Sequence, residues 1–283
     1  MGKKGKKAQA GKPKKLTPKE IGKRLDALVR KLGEELKGAD LFAPLPPTED
    51  CPICCIPLSR IRDKSTLWAC CGNSICNGCK GEGHVFLKKE SDICPFCRTQ
   101  CPSTQEWVRQ IEAKASQNDA FVMCELGGIF GRGKYGVPKD ELRALDCYIR
   151  AAELGSASAC SQIGRHYEFG NGGNKDMGRS AFFYRVGALR DSIVARHDLG
   201  CWEYNAGNYE IGIRHWKIAA EAGSQISLNQ LKRIFNAGGK VYGKECISKG
   251  DMDKIYRACH MAQEEVNSEE REKHSRFEDE WKC

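Results

Sequence analysis

The first clear pattern of hydrophobic positions starts at Thr17. Apolar side chains recur after it every three or four residues, which places them on one face of a helix: Ile21, Leu25, Leu28, Val29, Leu32 and Leu36. Thr17 suits an N-cap, Pro18 suits the first helical position, and Glu20 completes a capping box. Residues 17–38 are therefore predicted to form an amphipathic helix. Its apolar face must pack on the rest of the chain or on a partner helix.

A second pattern, of small and aromatic residues, repeats after residue 118. Superposing its first three copies aligns one glycine in each, at intervals of 37 and 36 residues: Gly127, Gly164 and Gly200. Each glycine is followed by an aromatic residue and then by small residues; the aromatic residues are Tyr148, Tyr184 and Trp216. A fourth, degenerate unit contains Leu231, Phe235 and Gly238, followed by Tyr256. Each unit is predicted to be two helices that approach closely at the small residues, with the aromatic ring filling the gap. Because no unit buries its apolar side alone, the units are expected to stack into an α-solenoid.

The third unit departs from this pattern. It is shorter than the first two, lacks their glycine-rich loop, and has Glu203 where Phe130 and Tyr167 stand. The sequence therefore predicts weak stacking at this joint.

The order LGxxYxxG followed by AAxxG resembles Sel1-like repeats, relatives of the tetratricopeptide class, over residues 118–265. The resemblance implies a mostly α protein whose repeats hold other proteins and carry no catalysis. The histidines and cysteines of this region have no metal-binding spacing and are predicted to be packing residues: His166, His197, His215, His260, Cys124, Cys147, Cys160, Cys201, Cys246 and Cys259.

Length and charge divide the chain further. With 283 residues, 40% hydrophobic and 29% charged, it is long enough for two domains. Residues 1–40 contain thirteen Lys or Arg and five Asp or Glu, so they hold most of the net charge of +9. Residues 1–16 are predicted to be a disordered basic tail, residues 39–50 a proline-containing linker, and residues 266–283 a charged cap or tail. The tail alone does not predict nucleic-acid binding, because no aromatic or basic stacking surface accompanies it.

The N-terminus has lysines where a secretory signal needs an apolar run, and no apolar stretch is long enough to span a membrane. The chain is therefore expected to be soluble and intracellular, in the cytoplasm and with the nucleus left open. Cysteines in such a compartment stay reduced, so paired CxxC spacings indicate zinc rather than disulfides.

Eight cysteines between residues 51 and 97 have that spacing. They form three CxxC pairs and one doublet: Cys51 with Cys54, Cys70 with Cys71, Cys76 with Cys79, and Cys94 with Cys97. Eight thiolates complete two tetrahedral zinc sites. Two further cysteines, Cys55 and Cys101, are predicted to be spare buried thiols.

The order of these pairs resembles the RING domain of ubiquitin ligases, here over residues 51–101. The resemblance implies that pairs one and three hold the first zinc and that pairs two and four hold the second. Asn73 stands where most RING domains have a histidine, and the closer likeness is to an all-cysteine variant. The ligands contributed by this stretch are either Cys70 and Cys71, or Cys71 with His84.

The RING resemblance also implies a function. A RING domain docks a ubiquitin-charged conjugating enzyme and positions its thioester, without forming a covalent intermediate of its own. By the resemblance, the docking residues are Ile53, Pro95 and Arg98, with Val85 or Phe86 less firmly placed. The sequence therefore predicts a RING-type ubiquitin ligase whose solenoid binds the substrate protein. The alternative is a zinc-stabilised interaction scaffold without ligase activity.

Overall fold

The computed structural model describes residues 17–46, 48–52, 58, 65–67, 71, 74–76, 94, 96–97, 99, 103–115, 117–171, 173–241 and 244–267. The predicted tail at residues 1–16 lies outside them, and so does the predicted cap or tail at residues 266–283 except for its first two residues, which end the last helix. Within this described part, no helix is both long and apolar enough to cross a membrane.

The described fold is almost entirely helical. Its helices are α1 (Pro18–Leu36), α2 (Thr104–Ala115), α3 (Ala120–Arg132), α4 (Glu141–Glu153), α5 (Ala157–Phe169), α6 (Met177–Leu189), α7 (Ile193–Asn205), α8 (Tyr209–Glu221), α9 (Gln225–Asn236) and α10 (Lys249–Asn267). Two short antiparallel hairpins complete it, β1 (Ser65–Leu67) with β2 (Ser74–Cys76) and β3 (Lys240–Val241) with β4 (Lys244–Glu245).

Helices α3 to α10 form four consecutive pairs, called units one to four. Within each unit the two helices contact each other, and the second helix also contacts the first helix of the next unit. Helix α2 packs against α3 at the start of the stack. Side chains cap most of these helices; Asp140 and Asp176, for example, accept hydrogen bonds from the first turns of α4 and α6. The predicted α-solenoid is confirmed.

The repeated glycines lie against the repeated aromatic rings. A Cβ atom on Gly164 would be 2.6 Å from Cε1 of Tyr184, and the same close approach brings Gly127 to Tyr148 and Gly200 to Trp216. Any larger residue would overlap the ring, so glycine is what lets the two helices of a unit pack this closely. The structure therefore confirms the role predicted for these residues.

The third unit stacks on both of its neighbours, so the predicted weak joint is wrong. Glu203 is buried, and its two carboxylate oxygens accept hydrogen bonds from Arg185 at 3.0 Å and from Asn208 at 2.7 Å. A buried carboxylate is tolerated when it is paired in this way. Asn208 is the N-cap of α8 but makes no side-chain capping bond, because its amide reaches Glu203 instead.

The fourth unit differs from its prediction. Leu231 is buried as expected, but Tyr256 is 49% exposed and lies under the Lys232 ammonium, 4.8 Å from the ring centroid. Ile255 and Cys259 fill the core of this unit instead. The equivalence of Tyr256 with the buried aromatic residues of the earlier units is therefore wrong.

Helix α1 packs on the solenoid rather than projecting from it. Its capping box forms as predicted, with the Thr17 N–H donating to Glu20 at 2.7 Å. Four of the predicted apolar residues are buried against α4 and α6, namely Ile21, Leu25, Leu28 and Leu32. Ion pairs flank this contact, joining Asp26 to Arg179 at 2.8 Å and Glu35 to Arg190 at 2.7 Å.

The segment after α1 is also held. Residues 37–43, called the strap, belong mostly to the stretch predicted as a linker. Buried Arg196 donates to the Leu41 carbonyl at 2.6 Å. The Phe42 ring stacks on His215 with centroids 4.7 Å apart, and the Arg214 guanidinium lies 3.8 Å from its centroid. Helix α1 and the strap together therefore contact the second helices of units one, two and three.

Candidate metal centre and protein-binding solenoid

Three of the predicted zinc ligands lie together. The sulfur atoms of Cys71, Cys94 and Cys97 are all within 4.8 Å of one another, and those of Cys71 and Cys94 are 3.6 Å apart. Cys94 is buried, and its N–H donates to the Thr99 carbonyl at 2.8 Å, which closes the turn that carries Cys97. These three residues belong to the same predicted zinc site.

The β1–β2 hairpin positions one of these sulfurs. Ser65 pairs with Cys76, and Leu67 pairs with Ser74, so Cys71 lies in the connection between the strands. Ile75, in the middle of β2, is buried. Cys71 thus comes from the end of a hairpin, and Cys94 and Cys97 approach it from a later part of the sequence.

The geometry of the three sulfurs fits zinc. Four thiolates at about 2.3 Å from a tetrahedral ion are about 3.8 Å apart, close to the separation of Cys71 and Cys94. A fourth ligand is needed, and both candidates for it, Cys70 and His84, lie outside the described residues. An ion held by four protein ligands would have no open position, so it would stabilise the fold rather than activate water.

Most of the other predicted site residues cannot be placed in this way. Cys51 is buried, and Cys76 ends β2. The remaining ligands and all docking residues are outside the described part of the chain: Cys54, Cys70, Cys79, Ile53, Pro95 and Arg98. Both the first zinc site and the surface for a conjugating enzyme therefore stay predictions.

Four cysteines of the solenoid are buried, as expected for packing residues: Cys124, Cys147, Cys160 and Cys259. Cys201 and Cys246 are only partly buried. In the described ranges, the cluster of Cys71, Cys94 and Cys97 is the one group of three or more metal-type ligands. Burial raises the pKa of Cys160 to about 11 and that of Cys147 to about 12, so both are neutral thiols at physiological pH.

One polar set in the solenoid was not expected from the sequence. His197 Nδ1 is 2.9 Å from Ser227 Oγ, and its Nε2 is 3.5 Å from Cys201 Sγ. Burial lowers the pKa of His197 and raises that of Cys201 to about 11, which keeps both groups neutral and the thiol unreactive. The four-residue spacing of His197 and Cys201 on a helix gave a signal for their contact. Ser227 comes from the next unit and could not be foreseen.

The fold defines a class of protein, an α-solenoid of short helix pairs. The family model described as "Sel1 repeat" matches residues 120–156, 157–192 and 194–224, which are the first three units. The first three units therefore match Sel1 repeats. The fourth helix pair continues the stack beyond the matched residues.

Known proteins resemble parts of the chain. The chitin synthase regulator SKT5 of Saccharomyces cerevisiae is 31% identical over 99 residues, which are 34% of this chain and 14% of the relative. Chitin synthase regulatory factor 1 of Schizosaccharomyces pombe is 35% identical over 83 residues, which are 29% of this chain and 18% of the relative. The chain thus spans less than a fifth of either relative's length.

A solved structure resembles the solenoid as well. The crystal structure of a Sel1 repeat protein from Oxalobacter formigenes superposes with a TM-score of 0.50 at 28% identity, covering 58% of this chain and 66% of that one. The sequence match and the structural match therefore agree on the repeat region. Neither match is evidence for or against the zinc module predicted at residues 51–101.

Proposed function

We propose that the chain is a zinc-stabilised scaffold that binds other proteins through its Sel1 repeats. The observation that carries this proposal is the unbroken stack of four helix pairs, which presents an extended surface. Burial shifts the pKa values of Cys147, His197 and His215 toward their neutral forms, which suits packing rather than chemistry. The names of two relatives describe regulators of an enzyme, and regulation of another protein requires contact with it.

The zinc module belongs to the same proposal. Two zinc ions, held by the eight paired cysteines, would give residues 51–101 the folding free energy that a segment so poor in apolar residues lacks. Helix α1 and the strap, which lie seven residues before this segment in the sequence, are fixed to the solenoid. The module would therefore be carried at a defined place beside the protein-binding surface.

A ligase is the second candidate. It is favoured by the convergence of Cys71, Cys94 and Cys97, which the RING resemblance assigns to one zinc site. In this proposal the module docks a ubiquitin-charged conjugating enzyme at Ile53, Pro95 and Arg98, and the solenoid holds the substrate. The two candidates differ only in whether a conjugating enzyme binds.

An autoubiquitination assay separates them. The full chain is incubated with activating enzyme, a panel of conjugating enzymes and ubiquitin, beside an Ile53→Ala variant, and zinc is measured in both. The scaffold proposal expects two zinc ions and no ubiquitin ladder. A ladder that disappears in Ile53→Ala, with both ions retained, would establish the ligase instead.

A second experiment tests the scaffold directly. The chain is immunopurified from cells after chemical crosslinking, and crosslinked peptides are identified by mass spectrometry. Crosslinks from partner proteins should concentrate on residues 120–267. Partners that crosslink only to residues 1–101 would overturn the proposal that the solenoid is the binding surface.

A further inference from the structure

A cleft opens between the third and fourth units. Its walls come from α7, α8 and α9 and from β3, the first strand of the hairpin in unit four. Its volume is about 500 Å³, and it opens to solvent.

Part of the cleft wall is apolar and firmly held. Tyr204, Trp216, Ile234 and Val241 line it, beside the polar side chains of Asn205 and Gln230. The indole N–H of Trp216 donates to the His197 carbonyl at 3.2 Å, and its ring contacts that of Tyr204 with centroids 5.0 Å apart. A side chain entering the cleft would therefore meet a preformed apolar surface.

The charges at its opening are all positive. Arg233 and Lys240 line the cleft, and both side chains are exposed. Among the residues described, neither forms a salt bridge, and none of those lining this cleft is acidic. The arginines that hold α1, by contrast, are paired with carboxylates. An unpaired pair of cations beside an apolar wall fits a ligand that carries both an apolar group and negative charge.

We propose that this cleft binds an acidic peptide segment of a partner protein. One aromatic or large aliphatic side chain of that segment enters between Tyr204, Ile234 and Val241, and carboxylates on either side of it pair with Arg233 and Lys240. The inference rests on the proposed scaffold function and gives it a partner class. A free anion would use the two cations but leave the apolar walls uncovered, which is why a peptide fits better.

Fluorescence anisotropy tests the proposal on the full chain. The probe is a labelled heptapeptide, Glu-Asp-Glu-Phe-Glu-Asp-Glu. It is compared with the same peptide carrying serine in place of phenylalanine, and with Lys-Lys-Lys-Phe-Lys-Lys-Lys, which keeps the phenylalanine but replaces every acidic residue. We expect saturable binding of the first peptide and at least about tenfold weaker binding of the other two, because each lacks one of the two kinds of contact.

The matched variants are two double charge reversals. Arg233→Glu with Lys240→Glu should weaken binding by about tenfold or more, since attraction at the rim becomes repulsion. Lys254→Glu with Arg257→Glu makes the same change of charge on exposed residues of α10 that do not line the cleft. This control should bind as the wild type does. An equal loss of peptide binding in both double variants would show general electrostatic attraction and would overturn the cleft as the binding site.

Two other results would also overturn the proposal. If Trp281→Ser strengthens peptide binding tenfold, the chain's own acidic C-terminal residues are the occupant rather than a partner. If no peptide binds while partner proteins still crosslink to residues 120–267, the cleft proposal fails and the scaffold function survives. Loss of both kinds of binding would remove the scaffold function itself.

Discussion

At the residue scale, the stack depends on glycines that have no room for a methyl group. We expect Gly164→Ala to lower the free energy of unfolding by about 1–3 kcal/mol, because its Cβ would overlap the Tyr184 ring and force a repacking. The measurement is urea denaturation followed by circular dichroism. Gly33→Ala is the control: Gly33 is inside α1 with nothing within 4 Å of a Cβ, so alanine there should stabilise by up to about 1 kcal/mol. Equal effects of the two substitutions would contradict the packing argument.

Protonation of a single buried histidine should make the fold sensitive to acid. His215 is 1% exposed; burial, followed by the nearby Arg196, lowers its pKa to about 4. Between pH 6.5 and 4 the unfolded chain therefore binds a proton that the folded chain does not. As the pH is lowered through this window, the free energy of unfolding should fall by about 2–3 kcal/mol. In His215→Gln, urea midpoints measured from pH 8 to 4 should show a shallower decline. An unchanged slope would mean that His215 is not the group responsible.

At the element scale, α1 is part of the core although it lies far from the repeats in sequence. Leu28 and Leu32 are buried against α4 and α6. We expect Leu32→Ala to cost about 2–5 kcal/mol, the usual range for a leucine removed from a core. Lys23→Ala, on the exposed side of the same helix, should change stability by less than about 0.5 kcal/mol. Thermal and urea unfolding of both variants would check this, and a Leu32→Ala protein as stable as Lys23→Ala would mean that α1 is undocked in solution.

The elements also show what the sequence could and could not predict. The capping box of Thr17 and Glu20 and the contacts of the repeated glycines depend on local spacing or on a repeat, and both were foreseen. The docking of Phe42 on His215 was not, because residues 173 positions apart leave no periodic signal. Glu203 misled the prediction for a related reason, since its partner Arg185 lies in the preceding unit.

At the scale of the whole molecule, one part of the candidate site could be predicted from the sequence and another part could not. The RING resemblance implies that Cys71, Cys94 and Cys97 share an ion, and the structure brings these three sulfur atoms close together. The cleft beside Trp216 was beyond prediction, because side chains from two neighbouring units and from the β3–β4 hairpin form it together. Candidate ligands at a recognisable local spacing can be identified from the sequence, whereas a surface formed by the packing of separate elements cannot.

If residues 51–101 hold two zinc ions as proposed, this module and the solenoid should unfold independently, because metal ligation would stabilise the first and apolar burial the second. We expect Cys94→Ser to lower the zinc content from two ions per chain to one, since it removes a ligand from the cluster with Cys71 and Cys97. The urea transition of the helical signal, which is dominated by the solenoid, should stay within about 0.5 kcal/mol of the wild type. Metal content by mass spectrometry and circular dichroism provide the two readouts.

Cys101→Ser is the matched control and should retain both ions, because Cys101 lies outside the predicted ligand pairs. Two ions remaining in Cys94→Ser would refute the assignment of this cluster, and a solenoid that melts when zinc is chelated would show that the two parts are one cooperative unit.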